Sequence, residues 1–199
     1  LKITTNGPVS SDLINRRRRF SCYKFSFLEF LASKIELFDK LLISWRKTIY
    51  LKEIRLAKIL SNQKVLLIGS GIIPHEAVFI AEETKAKVVG IDNNSITLKF
   101  AKSYVNKKGL SNYIRIEYGD GLNYPIRDFD VIFIAINVSP IDLILEHIYT
   151  HMKDDAKILC KSFRDDLKDV LNWENLCDKF LIKSVLKNPK SKSFLLVKK

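Results

Sequence analysis

From Lys64 onward the chain alternates short apolar runs with longer amphipathic stretches, and each of the first three runs ends at a glycine or an acid. Lys64–Ile68 stops at Gly69, Lys87–Ile91 at Asp92, and Tyr113–Tyr118 at Gly119-Asp120-Gly121. Runs of this length, bounded by turn residues, read as strands. Between them, Pro74–Thr84 and Ser95–Lys108 read as helices. Pro74 falls near the first turn of its helix, where a missing N–H costs least, and Gly109 closes the second. Phe129–Ile136 predicts a fourth strand, wholly apolar after Asp130 and therefore central. Pro140–Met152 predicts a helix, Ala156–Ser162 a fifth strand and Asp165–Asp178 a helix. Phe180–Leu186 and Ser193–Val197 are two last strands, joined by the turn-rich Asn188-Pro189-Lys190-Ser191.

Strands alternating with helices build a mostly parallel sheet covered on both faces. No clear helix joins the third strand to the fourth. Two strands with no helix between them must form a hairpin, hence an antiparallel pair. The expected fold is thus α/β and Rossmann-like: a seven-stranded, mostly parallel sheet with a C-terminal antiparallel hairpin, over residues 61–199. Residues 1–60 are expected to form a basic arm followed by amphipathic helices. Phe27, Leu28, Leu31, Ile35, Phe38, Leu42, Trp45, Ile49 and Ile54 recur there mostly at threes and fours, with no Gly or Pro interrupting. Such helices would pack on the following domain or form a homodimer interface.

Composition excludes several classes. Apolar residues make up 47% and charged residues 28%, which suits a globular chain rather than a disordered one. The longest apolar run, Val131–Ile136, is far too short to cross a bilayer, and no signal peptide is visible after Leu1. Cys22, Cys160 and Cys177 are odd in number and widely spaced, so neither a disulfide framework nor a zinc site is expected, and a reducing cytoplasm is. His147 and His151 stand four apart but lack an HExxH pattern, and no metal is expected. The net charge of +12 is uneven: +8 over residues 1–60, −3 over 61–178 and +7 over 179–199. Arg16, Arg17, Arg18, Arg19 and the Lys-rich C-terminus therefore suit contact with RNA or another polyanion, as well as a plain solvated surface.

In open α/β sheets, ligands sit beyond the carboxyl ends of the strands, where strand order switches. Three loops meet that description. In Ile68-Gly69-Ser70-Gly71-Ile72-Ile73-Pro74, two glycines allow a sharp turn and close approach to a ligand, and the amides near a helix start suit a carboxylate. Asp92, with Asn93 beside it, is placed to accept ribose hydroxyls, although Asp92, Asn93 or Asn94 would also serve as a helix cap. Gly119-Asp120-Gly121 offers a carboxylate to an adenine amino group, or is simply a turn. Each signal is modest alone; three in register, one per successive strand, favour a cofactor site. Ala135, at the end of the fourth strand, completes its wall.

With these loops in place, the segment from Lys64 to Lys199 resembles the class I S-adenosylmethionine (SAM)-dependent methyltransferases. The acid expected before their glycine loop is Leu67 here, and the third glycine is Ile73. Gly69-Ser70-Gly71-Ile72-Ile73-Pro74 is closer to the G-S-G-P-L-P loop of the nicotianamine synthases, a branch of the same superfamily. The strands Lys157–Phe163 and Ser193–Lys198 resemble that branch too. The resemblance implies SAM as cofactor and a transferase. Methyl transfer to an unknown small-molecule or RNA acceptor is the first expectation. The alternative is transfer of an aminocarboxypropyl group to an amine, which releases methylthioadenosine. An RNA-binding protein or a non-catalytic scaffold with this fold is the third.

A transferase using an activated electrophile needs mainly to position the acceptor, and a base helps if the acceptor is protonated. Asn137, after the fourth strand, is placed to orient an amine, although Asn137 and Ser139 also suit capping of the next helix. His75 and Glu76 follow the glycine loop, where Glu76 also suits the helix dipole. Tyr124 is placed to pack on an acceptor or cofactor, and Trp45 and Tyr50 to form a lid or to anchor the N-terminal helices.

Overall fold

The structure, a computed structural model, describes residues 36–162, 176–189 and 191–199. The first element among the described residues is helix α1, Glu36–Ala57, within the stretch expected to form amphipathic helices. Then follow β1 (Lys64–Ile68), α2 (His75–Thr84), β2 (Lys87–Asp92), α3 (Ser95–Lys107) and β3 (Ile114–Tyr118). After β4 (Val131–Ile134) come α4 (Ile141–His151) and β5 (Lys157–Ser162). A short 3-10 turn, Leu176–Asp178, leads to β6 (Phe180–Lys187) and β7 (Lys192–Lys198). The arginines Arg16–Arg19 and most of the helix expected over 165–178 lie outside the described residues. No helix among the described residues is long and apolar enough to cross a membrane.

The seven strands form one sheet in the order β3-β2-β1-β4-β5-β7-β6. β1 pairs in parallel with both β2 and β4, so strand order reverses between β1 and β4. β7 lies antiparallel between β5 and β6, as a hairpin folded back into the sheet. β4 is shorter than its apolar run suggests: Ala135 and Ile136 leave the ladder for the loop beyond it.

Both faces are covered. On one, Leu66, Ile68, Ile132, Ile134, Ile158, Phe194 and Leu196 pack against α4 through Ile141, Ile144, Leu145 and Ile148. On the other, Val65, Leu67, Val131, Phe133 and Leu159 meet α1, α2 and α3 through Ile54, Ala57, Phe79, Ile80 and Leu98. Each large side chain buried this way contributes about 1.5–3 kcal/mol. Tyr50 of α1 sits 5.3 Å from the Phe79 ring of α2 and is buried, which settles the choice between lid and anchor for this residue.

Candidate functional site

The loops after β1, β2, β3 and β4 gather at the carboxyl edge of the sheet, on both sides of the reversal in strand order. Gly69 and Gly71 adopt left-handed φ angles of 83° and 69°, which turn the chain out of β1. A Cβ on Gly69 would stand 2.6 Å from Val138 Cγ2 and 3.3 Å from Ala135 Cβ, so this glycine lets the β1 loop touch the β4 loop. The amides of Gly69 and Ser70 both donate to the Ile91 carbonyl at 2.9 Å, and that of Gly71 donates to Asp92 Oδ2 at 3.0 Å. The expected carboxylate cradle is therefore not made by these three amides. The loop folds back on the end of β2, and its glycines contribute close approach instead.

Asp92 is the junction. Its Oδ1 accepts the Asn94 amide at 3.0 Å while Oδ2 holds Gly71. Burial pushes its carboxyl above the ordinary range, and these two amides pull the other way. Asn94, not Asp92 or Asn93, caps α3, accepting the Ile96 amide at 3.0 Å. Asn93 is exposed beside it. Asp120 uses Oδ1 to accept the Leu122 amide at 3.0 Å, and Oδ2 has no partner among the described residues. It is thus both a turn residue and a remaining acceptor. Gly119 and Gly121 are both buried, where Cβ atoms would meet Tyr124 Cδ2 at 2.7 Å and Ile68 Cγ2 at 2.9 Å.

Two buried polar atoms in these loops accept no hydrogen bond from the described residues: Ser70 Oγ and Asn137 Oδ1. Pro140, the residue at the start of helix α4, offers no side-chain cap, and Asn137 Oδ1 does not serve as one. An Asn carbonyl oxygen left unpaired in a loop beside the glycine turn is available to a ligand.

The other candidates sort differently. Tyr124 donates its hydroxyl to Glu117 at 2.6 Å, and its phenol is pushed to about 12 by burial first and by Glu117 second. It supports the Gly119 turn instead of offering its hydroxyl to an acceptor. His75 is buried, edge-on to Tyr104 at 5.8 Å. Glu76 is in the first turn of α2, and its carboxylate pairs with Lys161 at the end of β5. His147 Nε2 meets the Tyr124 carbonyl at 2.8 Å, and His151 Nδ1 the His147 carbonyl at 2.9 Å. Among the described residues no group of three or more His, Cys, Asp or Glu side chains could hold a metal. In the C-terminal segment, Lys179 pairs with Glu146 and Lys198 with Asp154, so part of that positive charge is met within the chain.

One group escapes the sequence patterns altogether. Lys161 also lies 2.8 Å from Glu53 Oε2 of α1, and Glu53 Oε1 accepts the Ser193 hydroxyl of β7 at 2.6 Å. The one clue was a lysine inside the otherwise apolar run Ile158-Leu159-Cys160-Lys161.

A seven-stranded sheet in this order, closed by an antiparallel hairpin and carrying its loops at the carboxyl edge, is the fold of the class I SAM-dependent methyltransferases. A mutant of the nicotianamine synthase MtNAS superposes with a TM-score of 0.74 at 16% identity, over 94% of this chain and 75% of that one, and MtNAS in complex with MTA and tNA and its mutant in complex with SAM each superpose with a TM-score of 0.73. An RNA methyltransferase from Salinibacter ruber, in complex with S-adenosyl-L-homocysteine, superposes with a TM-score of 0.65 at 14% identity, over 77% of this chain and 92% of that one. In sequence, L-histidine 2-aminobutanoyltransferase of Yersinia pestis is 26% identical over 135 residues, 67% of this chain and 49% of that enzyme. The chain thus matches about half the length of that relative. No protein-family profile matches.

Proposed function

We propose that this chain binds SAM and transfers its aminocarboxypropyl group to an amine. Methyl transfer stood first on the sequence alone; the order is reversed by one observation. The likeness to MtNAS extends over 94% of this chain, far beyond the sheet domain, so it takes in most of α1. Helix α1 is fastened over the β5–β7 end of the sheet by Glu53, and its Tyr50 rests on α2, so the helix before the glycine loop is packed onto the domain. The name of the Yersinia relative supports the same chemistry.

The residues present suit the cofactor. Asp92 retains lone pairs for ribose hydroxyls beyond the two amides it accepts, Asp120 Oδ2 is open to an adenine amino group, and Ser70 Oγ and Asn137 Oδ1 are unpaired acceptors in the cleft. Gly69, Gly119 and Gly121 let their loops pack closely against Val138 and Ala135, Tyr124, and Ile68. SAM supplies an activated carbon next to a sulfonium. The protein's part is to hold an amine in line with it and to exclude water. Asn137 is the residue best placed to orient that amine.

Identification of the nucleoside released from SAM tests this. The chain is incubated with SAM and L-histidine, and separately with a mixture of primary amines. Methylthioadenosine is expected. S-adenosylhomocysteine would establish methyl transfer, the second reading. The RNA methyltransferase neighbour and the basic ends favour RNA as acceptor in that case. Steep salt dependence of RNA binding, lost on replacing Arg16–Arg19 by Ala, would accompany it. No SAM binding at all would leave a scaffold with this fold.

A further inference from the structure

Helix α4 begins just after the Asn137 loop, and its buried face meets the turn that carries Asp120. Two contacts fasten that turn to the helix. Gly121 is packed so closely that a Cβ there would stand 2.9 Å from Ile68 Cγ2 and 3.3 Å from Ile144 Cδ1. One turn further along α4, His147 Nε2 lies 2.8 Å from the Tyr124 carbonyl oxygen. Ile144 and His147 are three residues apart, so they share a face of the helix. The first contact is apolar and has no preferred direction; the second fixes one.

A carbonyl oxygen can only accept, so Nε2 carries a proton and donates it. Among the described residues the Tyr124 carbonyl accepts no other hydrogen bond. The Tyr124 amide in turn donates to the Asp120 carbonyl at 2.9 Å, the Asn123 amide donates to the same oxygen at 3.1 Å, and the Leu122 amide donates to Asp120 Oδ1 at 3.0 Å. Asp120 and Tyr124 thus close a single turn, and a tie on its last residue holds the carboxylate on its first. The Tyr124 hydroxyl is held separately by Glu117 of β3, so the turn is pinned to the sheet on one side and to α4 on the other. His151 is placed differently. Its ring stacks 4.5 Å from that of His147, and its Nδ1 donates to the His147 carbonyl at 2.9 Å, within the helix.

We propose that His147 is a positioning residue for the adenine side of the cofactor site. It acts through Asp120, by holding the turn whose carboxylate keeps Oδ2 for the adenine amino group. The inference rests on the reading of this cleft as a SAM site.

The test is calorimetric titration of methylthioadenosine, which carries the adenine without the transferred group, on the wild type, His147→Ala, His147→Gln and His151→Ala. His147→Ala should weaken binding about three- to tenfold, the worth of one lost hydrogen bond. His147→Gln, which can place an amide N–H where Nε2 stands, should stay within about twofold of the wild type, and so should His151→Ala. On an Asp120→Ala background His147→Ala should cost less than about twofold, because a residue acting through Asp120 has nothing left to position. A histidine that only stabilises the fold would lower the melting temperature and leave the affinity unchanged, or would cost the same on both backgrounds. Either result overturns the inference. Hydrogen exchange of the free protein needs no ligand: the Leu122, Asn123 and Tyr124 amides should exchange faster in His147→Ala and not in His151→Ala. Equal exchange in the wild type and His147→Ala overturns the inference as well. A wild type that binds no methylthioadenosine overturns the SAM reading and the positioning role with it, whereas equal binding by the wild type and His147→Ala overturns the role alone.

Discussion

Asp92 at the end of β2 and Gly71 in the β1–α2 loop are joined through Oδ2 and a backbone amide at 3.0 Å. The same carboxylate holds the Asn94 amide, so one side chain sets two of the three cofactor loops. Asp92→Ala is expected to weaken SAM binding about tenfold or more in a calorimetric titration, through lost loop geometry and a lost acceptor. Unchanged affinity would remove Asp92 from the site.

Gly69→Ala tests the contact between the β1 and β4 loops. It forces an alanine to a φ of 83° and sets its Cβ 2.6 Å from Val138 Cγ2. A loss of about 1–3 kcal/mol is expected in urea unfolding. Gly109→Ala is the comparison: φ is 66°, but nothing lies within 4 Å of its Cβ, so only the backbone cost of about 1 kcal/mol remains. Equal losses would mean that the crowding at Val138 relaxes freely.

Asn137→Ala separates function from folding. Its Oδ1 accepts no hydrogen bond from the described residues, so stability should move by only about 0.5 kcal/mol. Turnover should fall about 10- to 100-fold if this oxygen orients the acceptor. A variant that loses stability and keeps its turnover would make Asn137 a structural residue.

Asp130 gives a pH signature. Its Oδ2 accepts the Lys64 amide at 2.7 Å and its Oδ1 receives the Lys153 ammonium at 2.6 Å. Burial alone would raise its pKa, but these partners outweigh it and the folded value is lowered. Its contribution is therefore present above the unfolded value near about 4 and is lost as pH falls through the lower folded value. Asp130→Asn should cost about 1–3 kcal/mol at neutral pH, and the gap to wild type should narrow near about pH 3. Asp92, raised in the folded state, acts in the opposite sense: its contribution is present at low pH and lost as pH rises through its folded value. A gap that stays constant with pH would show that the Asp130 charge does not matter.

The elements were legible because local patterns carry them. Short apolar runs and the turn residues that end them specified strands β1 to β3 within one or two residues, and the missing helix before β7 specified a hairpin. The loop positions of Gly69, Asp92 and Asp120 followed, since a parallel sheet puts successive strand ends on one edge. Individual hydrogen bonds were not legible. Nothing in the order of residues says that the Gly69 and Ser70 amides turn to Ile91, or that Asn94 caps α3 in preference to Asp92.

The charged cluster was beyond reach for a deeper reason. Glu53 reads as one more polar residue on an amphipathic helix, and Ser193 as the start of a last strand. Only the packing of α1 across the sheet brings Glu53 within 2.6 Å of Ser193, a partner 140 residues away, and within 2.8 Å of Lys161. The sequence by itself determined where the backbone runs straight, coils and turns, because hydrophobic period and turn chemistry act between near neighbours. The tertiary structure alone decided which charges are buried together. That depends on contacts between distant segments, which no local pattern of residues records.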